Sequence, residues 1–263
     1  MPAPRFWTRY TISVPPETSK NHGPSFEERW RRRFEKFAEK SDDDAGIGGW
    51  SSTGLQVRLR TFARLWSGQP SGGLWLDAGC GAGTYCRFLR ERGAPVVGID
   101  YSLPSLLKAA RRDQFGIPWV NADVTRLPVK PGSFDGVLCL GVMQALADSR
   151  PAVSELCGAV RPGGYIFVDA LNALCIPHVW ERAWRRLRKV PMHVRYEKPH
   201  RLSQLMRENG MTDIRCHWVP IMPGRLQRLQ GLVETPFSQW ILRWVPLAGR
   251  CLSHAFWVTA RRA

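Results

Sequence analysis

Apolar positions along the chain follow two spacings. Between Phe26 and Lys40, Trp30, Phe34 and Phe37 recur at i, i+4 and i+7 among charged residues, which predicts an amphipathic helix. Ser41-Asp42-Asp43-Asp44 and the glycines at 46, 48 and 49 break it, and the three acids read as a solvated helix end. A second helix is predicted over Leu55–Trp66. From Leu74 onward, short apolar runs alternate with helical stretches. The runs are Leu74–Leu76, Ala94–Ile99, Pro118–Val120, Phe134–Leu140 and Tyr165–Val168. The helices between them are Thr84–Arg92, Leu103–Arg112 and Arg150–Val160, with a helix or turn over Met143–Ala147 and a turn at Arg161–Gly164. This alternation predicts a parallel sheet covered on both faces. Residues 1–25, with Pro at 2, 4, 15, 16 and 24, read as an irregular arm.

One strand-to-helix junction carries candidate chemistry: Leu76-Asp77-Ala78-Gly79-Cys80-Gly81-Ala82-Gly83-Thr84. Glycines there let the backbone turn tightly and let a ligand approach the helix N-terminus. The spacing is G-x-G-x-G with an acid before it, not the G-x-G-x-x-G of a pyrophosphate cradle. An acid at that entrance repels a pyrophosphate and suits an ammonium or sulfonium group. Asp100 closes the next strand, where a carboxylate reaches ribose hydroxyls. Asp123, after the third strand, is placed to accept from an adenine amino group. A ribose, an exocyclic amine and a positive end together describe S-adenosyl-L-methionine.

Five segments in this order resemble the class I S-adenosylmethionine-dependent methyltransferases of the small-molecule branch: LDAGCGAG at 76–83, GIDYS at 98–102, ADVTRLP at 122–128, FDGVLCLGVMQAL at 134–146 and RPGGYIFVD at 161–169. The chain is similar in this to the ubiquinone and menaquinone biosynthesis methyltransferases. The resemblance implies an α/β, Rossmann-like, seven-stranded, mostly parallel sheet with helices on both faces and a reversed last hairpin. Ile214–Val219 and His254–Thr259 suit its last two strands. It also implies site roles. Asp77, Gly79, Cys80 and Gly81 line the methionine moiety, Asp100 holds the ribose, and Tyr101 lies beside the adenine. Asp123 and Val124 read the adenine edge, and Leu140 offers its backbone to the methionine amino group. The expected organisation is an arm over 1–25 and a methyltransferase domain over 26–263. Within that domain, 26–73 form a helical cap, 74–170 the cofactor-binding core, and 171–263 a helical substrate lid with the last two strands. The expected enzyme moves a methyl group to a small-molecule acceptor, at oxygen, and releases S-adenosyl-L-homocysteine.

The acceptor side is read from residues after the fifth strand. His178–Lys189 is a basic amphipathic stretch with Val179, Trp180, Ala183, Trp184 and Leu187 on one face. Gly231–Leu247 adds further apolar and Trp residues. Both suit an apolar lid, or peripheral membrane contact through 178–190 and 231–247. His178 is the preferred general base, because it follows the fifth strand most closely and imidazole titrates near neutrality. Asp169, His193, Tyr196 and His200 are alternatives. Trp180, Trp184, His193, Arg195 and Tyr196 are the candidate acceptor contacts, and Arg201 is a further cation for an acidic acceptor.

Charge narrows the partner. The net charge is +16, distributed as +4 over 1–73, +1 over 74–170 and +11 over 171–263. The excess therefore sits on the expected lid and not on the cofactor-binding core, which suits an anionic or lipid-like acceptor. Nucleic acid is disfavoured. The segment after the fourth strand has no Pro or aromatic residue to stack a flipped base, and the chain has no Pro-Cys dipeptide. A protein acceptor, or a cofactor-binding partner protein without catalysis, are the other readings. The seven cysteines form no C-x-x-C pair and no zinc-ligand spacing. No metal site, no membrane span and no signal-peptide run is expected, so the expected location is cytoplasmic, with or without attachment to a membrane surface.

Overall fold

The computed structural model describes residues 24–66, 72–222, 224–245 and 247–263, so most of the expected arm lies outside the described residues. Three helices come first: α1 (Phe26–Lys40), α2 (Asp44–Ile47) and α3 (Ser52–Trp66). Then β1 (Trp75–Ala78), α4 (Thr84–Arg90), β2 (Val96–Asp100), α5 (Leu103–Arg111), β3 (Trp119–Asn121) and β4 (Phe134–Cys139) follow. A short 3-10 turn over Met143–Ala145 leads to α6 (Arg150–Ala159), β5 (Val160–Leu171), α7 (Ile176–Leu187), α8 (Pro199–Glu208) and β6 (Met211–Val219). After a second 3-10 turn (Gly224–Leu229) come α9 (Gln230–Val233), α10 (Pro236–Trp244), α11 (Ala248–Leu252) and β7 (Ala255–Arg262).

The seven strands form one sheet in the order β3-β2-β1-β4-β5-β7-β6, with β7 antiparallel to both its neighbours. This is the Rossmann-like arrangement with a reversed last hairpin. The turn expected at Arg161–Gly164 exists as a bulge inside β5. The pairing passes from Phe134↔Val160 to Gly136↔Tyr165, so β5 advances further than its partner there.

Strand alternation sends successive side chains to opposite faces. Leu76, Val97, Val137, Ile166, Phe256 and Val258 share one core with Leu202 and Met206 of α8. Trp75, Leu138, Phe167 and Trp257 share the other core with Phe62 of α3 and Phe88 of α4. Phe62 is fully buried and meets the rings of Tyr85, Phe88 and Phe167 edge-on, with centroids 5.3–5.6 Å apart. Such pairs add about 0.5–1.5 kcal/mol each beyond the burial of their area. They fix the N-terminal helices against the sheet.

In the acidic run at the start of α2, Asp42 and Asp43 are exposed as a solvated helix end requires, but the run also caps and holds the next helix. Asp43 accepts from Gly46 N at 2.8 Å and caps α2. Asp44 accepts from Thr84 Oγ1 at 2.6 Å, from Arg112 Nη1 at 2.8 Å and from Arg87. Three residues from α4 and the end of α5 thus hold α2 over the ends of the first strands. That clamp is what makes the cap a wall of the site.

Candidate active site

The sheet reverses its winding between β1 and β4, and in open α/β sheets ligands bind in the crevice at such a switch point. The loop after β1 turns over Gly79 (φ +84°) and Gly81 (φ +51°). A Cβ at Gly79 would overlap the Val142 side chain, while a Cβ at Gly81 would stand in open space. Gly79 N and Cys80 N both donate to Ile99 O, at 2.7 and 3.0 Å, which anchors the loop on β2. Asp100 accepts from Gly81 N at 2.8 Å and from Ser102 N at 2.7 Å, and burial raises its carboxyl pKa above the ordinary carboxylate range.

Seven of the expected cofactor residues line a single cleft: Gly79, Cys80, Gly81, Asp100, Tyr101, Val124 and Leu140. Two others lie elsewhere. Asp77 is buried below the loop, where the Cys86 thiol donates to it at 3.3 Å and burial pushes its carboxyl up to about 7. It sits within β1 and does not reach the cleft wall. Asp123 is exposed, and its Oδ1 accepts from the Thr125 amide and hydroxyl at 2.8 Å. It closes a local turn at the cleft's edge. Burial pushes the Cys80 thiol up to about 11, so it is no nucleophile at neutral pH.

The cleft fits S-adenosylmethionine. The buried hydroxyls of Tyr85 and Tyr101 both lie on residues that line it, and neither has a hydrogen-bond partner among the described residues. Buried polar groups are ordinarily paired, so these two hydroxyls leave hydrogen-bonding capacity on residues of the cleft's lining. Among the described residues no cation pairs with Asp100, and each of its oxygens accepts one backbone hydrogen bond and keeps acceptor capacity for a sugar hydroxyl.

A second cavity, of about 240 Å³, adjoins the cleft; Phe34, Gly48 and Trp50 line both. Its walls are aromatic, with Trp30, Phe37 and Trp50, and its polar residues are Arg33, Ser51, Arg58, Gln144 and His254. Arg58 is buried, lies 4.0 Å over the Trp50 ring, and donates from Nε to Asp169 Oδ2 at 3.1 Å. Asp169 Oδ1 accepts from Gly141 N at 2.6 Å. One carboxylate therefore ties the floor of the second cavity to the backbone after β4. It is ion-paired with Arg58 and lines neither cavity, which speaks against its use as a base.

The other expected acceptor-side residues stand outside both cavities. His178 is buried, with Nδ1 on Asn172 O at 2.8 Å and Nε2 on His254 Nδ1 at 2.9 Å. Both nitrogens are engaged, so His178 has no lone pair facing an acceptor, and its pKa is lowered chiefly by burial. Arg195 donates to Met143 O, Ser149 Oγ and Glu197 Oε2 and braces the loop after β4. Tyr196 donates to Glu181 Oε2 at 2.8 Å, and His193 Nδ1 lies 3.9 Å from Glu181. Trp180 and Trp184 point outward, 75% and 46% exposed. The sequence reading missed Asp44, Trp50, Arg58 and His254. Arg58 did leave a signal: it stands on the buried face of α3, one turn before Phe62, where a lone charge needs a buried partner.

Comparison with known proteins places this geometry. A family described as "Methyltransferase domain" matches residues 76–168. A malonyl-[acyl-carrier protein] O-methyltransferase of Enterobacter lignolyticus is 34% identical over 160 residues, which are 60% of this chain and 56% of that protein. The chain thus spans little more than half the length of that relative. A ubiquinone biosynthesis O-methyltransferase of Idiomarina loihiensis is 34% identical over 187 residues, 64% of this chain and 68% of that protein. The chain belongs to the S-adenosylmethionine-dependent methyltransferases. The fold agrees with this membership. The magnesium protoporphyrin IX methyltransferase of Synechocystis PCC 6803, solved with bound S-adenosylmethionine, superposes with a TM-score of 0.60 at 17% identity, covering 93% of this chain and 100% of that one. Within this methyltransferase, no group of described residues offers three or more ligands for a metal ion, and no helix of the described residues is long and apolar enough to cross a membrane.

Proposed function

We propose that this methyltransferase transfers a methyl group from S-adenosylmethionine to an oxygen of a small acceptor that is apolar in its body and anionic at one end. The observation that carries this reading is the pair of adjoining cavities sharing Phe34, Gly48 and Trp50: one carries the family's cofactor motifs, the other is aromatic with cationic groups. The cofactor supplies an already activated methyl on a sulfonium, so the protein's work is largely positioning and exclusion of water. Gly79, Cys80 and Gly81 hold its methionine part, Asp100 its ribose, Tyr101 and Val124 its adenine, and the backbone at Leu140 its amino group. The Asp44 clamp keeps α2 and Trp50 over the junction of the two cavities and shields it from solvent. Arg58 and Arg33 orient the anionic end of the acceptor. In this organisation residues 26–73 are the cap, 74–170 the cofactor-binding core and 171–263 the lid with the last strands.

The lid gives the same proposal its lipid side. Trp180 and Leu187 on α7, and Phe237 and Trp240 on α10, are more than half exposed in a segment of net charge +11. Interfacial aromatics among arginines suit the surface of an anionic bilayer. That supports peripheral membrane contact and an acceptor drawn from the lipid phase.

The test is transfer of labelled methyl into a cell extract, with the product partitioned into lipid, small-molecule, protein and nucleic-acid fractions. Label in the lipid or small-molecule fraction is expected, and label confined to nucleic acid or protein overturns the acceptor class. Co-sedimentation with phosphatidylglycerol vesicles at low salt is expected, and its absence removes the membrane contact.

A further inference from the structure

The hydrogen bonds around His178 fix the proton positions on two histidines. Asn172 O is a carbonyl and only accepts, so His178 Nδ1 must carry the hydrogen. A neutral His178 then has a bare Nε2, which accepts from His254 Nδ1 at 2.9 Å. A neutral His254, with its hydrogen on Nδ1, has a bare Nε2. His254 lines the aromatic second cavity, and its Nε2 has no partner among the described residues. The chain thus runs from a buried carbonyl, through two imidazoles, to one unprotonated nitrogen on a residue that lines the second cavity.

We propose that His254 Nε2 takes the proton from the acceptor's hydroxyl, that His178 is the positioning residue that fixes its tautomer, and that the acceptor is a flat hydroxylated acid. The proposal rests on the methyl-transfer reading above. As the O–CH₃ bond forms, the O–H bond breaks and its proton goes to His254 Nε2. The hydrogen on His254 Nδ1 then moves to His178 Nε2, which returns His254 to a neutral form. The charges around the pair favour that direction. Arg58 faces His254 and opposes a cation there, and burial together with Arg58 holds its pKa down at about 3. Glu181 favours a cation on both rings, burial opposes one on both, and Arg182 opposes one on His178, so Arg58 is the charge that sets the two apart. The ring of Tyr196 lies 4.5 Å from that of His178 and adds an aromatic face. A carboxylate on the acceptor, paired with Arg58, offsets the charge that depresses His254 and so strengthens the base when the acceptor is bound. Trp30, Phe37 and Trp50 supply flat walls for an aromatic ring.

The experiment uses the full chain labelled with ¹⁵N-histidine, with 3-hydroxybenzoate as the probe and benzoate as its hydroxyl-free control. At pH 7 both histidines should carry hydrogen on Nδ1, with His254 Nε2 bare. 3-Hydroxybenzoate should shift that nitrogen toward its hydrogen-bonded position, and benzoate should not. A hydrogen on His254 Nε2, or equal responses to the two probes, overturns the proposal. H178F should let His254 sample both tautomers; an unchanged tautomer removes His178 from the role. H254N keeps a donor for His178 and loses the basic nitrogen. With labelled S-adenosylmethionine and 2-, 3- or 4-hydroxybenzoate, its kcat should fall about 100-fold or more with KM nearly unchanged. Unchanged kcat sinks the base, and no transfer by the wild type to any of the three sinks the acceptor class. Calorimetry with S-adenosylmethionine separates the two levels. Wild type without affinity defeats the methyl-transfer reading, whereas normal affinity with a protonated Nε2 defeats only the relay.

Discussion

The two adjoining cavities are built in opposite ways. The cofactor cleft draws its inner wall from loops after β1, β2, β3 and β4, so most of its residues fall between 79 and 145. Its neighbour is assembled from α1, the α2–α3 connection and isolated positions such as Gln144, Leu171, Val194, Ile221 and His254. The first is drawn mostly from successive strand-end loops of the core, the second from positions scattered between Trp30 and His254. The difference teaches where specificity resides. A cleft made of successive strand-end loops suits one invariant ligand, and a cavity made of dispersed positions can be reshaped one residue at a time.

Disruption at the junction should show the largest effect. R58M leaves Asp169 as a buried, unpaired carboxylate, and breaking such a pair from one side costs about 3–5 kcal/mol. Urea unfolding should show that loss, and both cavities should be weakened because Asp169 also holds Gly141. A change below ~1 kcal/mol would mean that the two are not mechanically joined.

Asp77 tests the cleft's foundation. Its carboxyl is pushed up to about 7 by burial, so the folded state holds a proton that the unfolded chain releases near 4. With respect to this group, stability is therefore greatest at low pH and is lost as pH rises from about 4 to 7. D77N should remove this slope and stabilise the fold at pH 8 by a few kcal/mol, roughly 1.4 kcal/mol for each tenfold difference in proton affinity between the folded and unfolded chain. An unchanged profile from pH 4 to 8 would contradict the buried, unpaired placement.

A smaller effect should separate the cavities. D100N removes the acceptor carboxylate from the cleft alone. Affinity for S-adenosylmethionine by calorimetry should fall about 10–100-fold, the range of a hydrogen bond to a charged group, while 3-hydroxybenzoate still quenches tryptophan fluorescence. Loss of both signals would show that the cavities do not act independently. The smallest effect belongs to the lid's outer face. W180S should alter stability by no more than ~0.5 kcal/mol and still reduce binding to phosphatidylglycerol vesicles.

The same contrast explains what was legible in the sequence. β1 to β4 and the cleft residues Gly79, Gly81, Asp100 and Leu140 lie at strand ends, where apolar runs meet Gly and Asp within a few positions. Local pattern is enough there. α8 went unread because Pro199–Glu208 is polar on most of its surface and buries only Leu202, Ser203, Leu205 and Met206. Within the acidic run expected as a solvated end, Asp44 forms a clamp because its partners, Arg87 and Arg112, are brought near only by the fold. The place of His178 after β5 makes it the candidate base in the sequence, yet the histidine that lines the second cavity is His254, 76 residues later. A hydrogen bond over that separation leaves no local trace.

The pairing of Arg58 with Asp169 also has a consequence for synthesis. The two residues are 111 positions apart, and the cation emerges first. Until β5 has left the ribosome, α3 can dock on the growing sheet only by burying an uncompensated guanidinium, which is strongly unfavourable. The cap must therefore wait, loosely attached, while strands one to four assemble, and settle only when the fifth arrives. One ion pair sets an order of events: the strand-end loops of the cofactor cleft form first, and the cap that walls both cavities closes last.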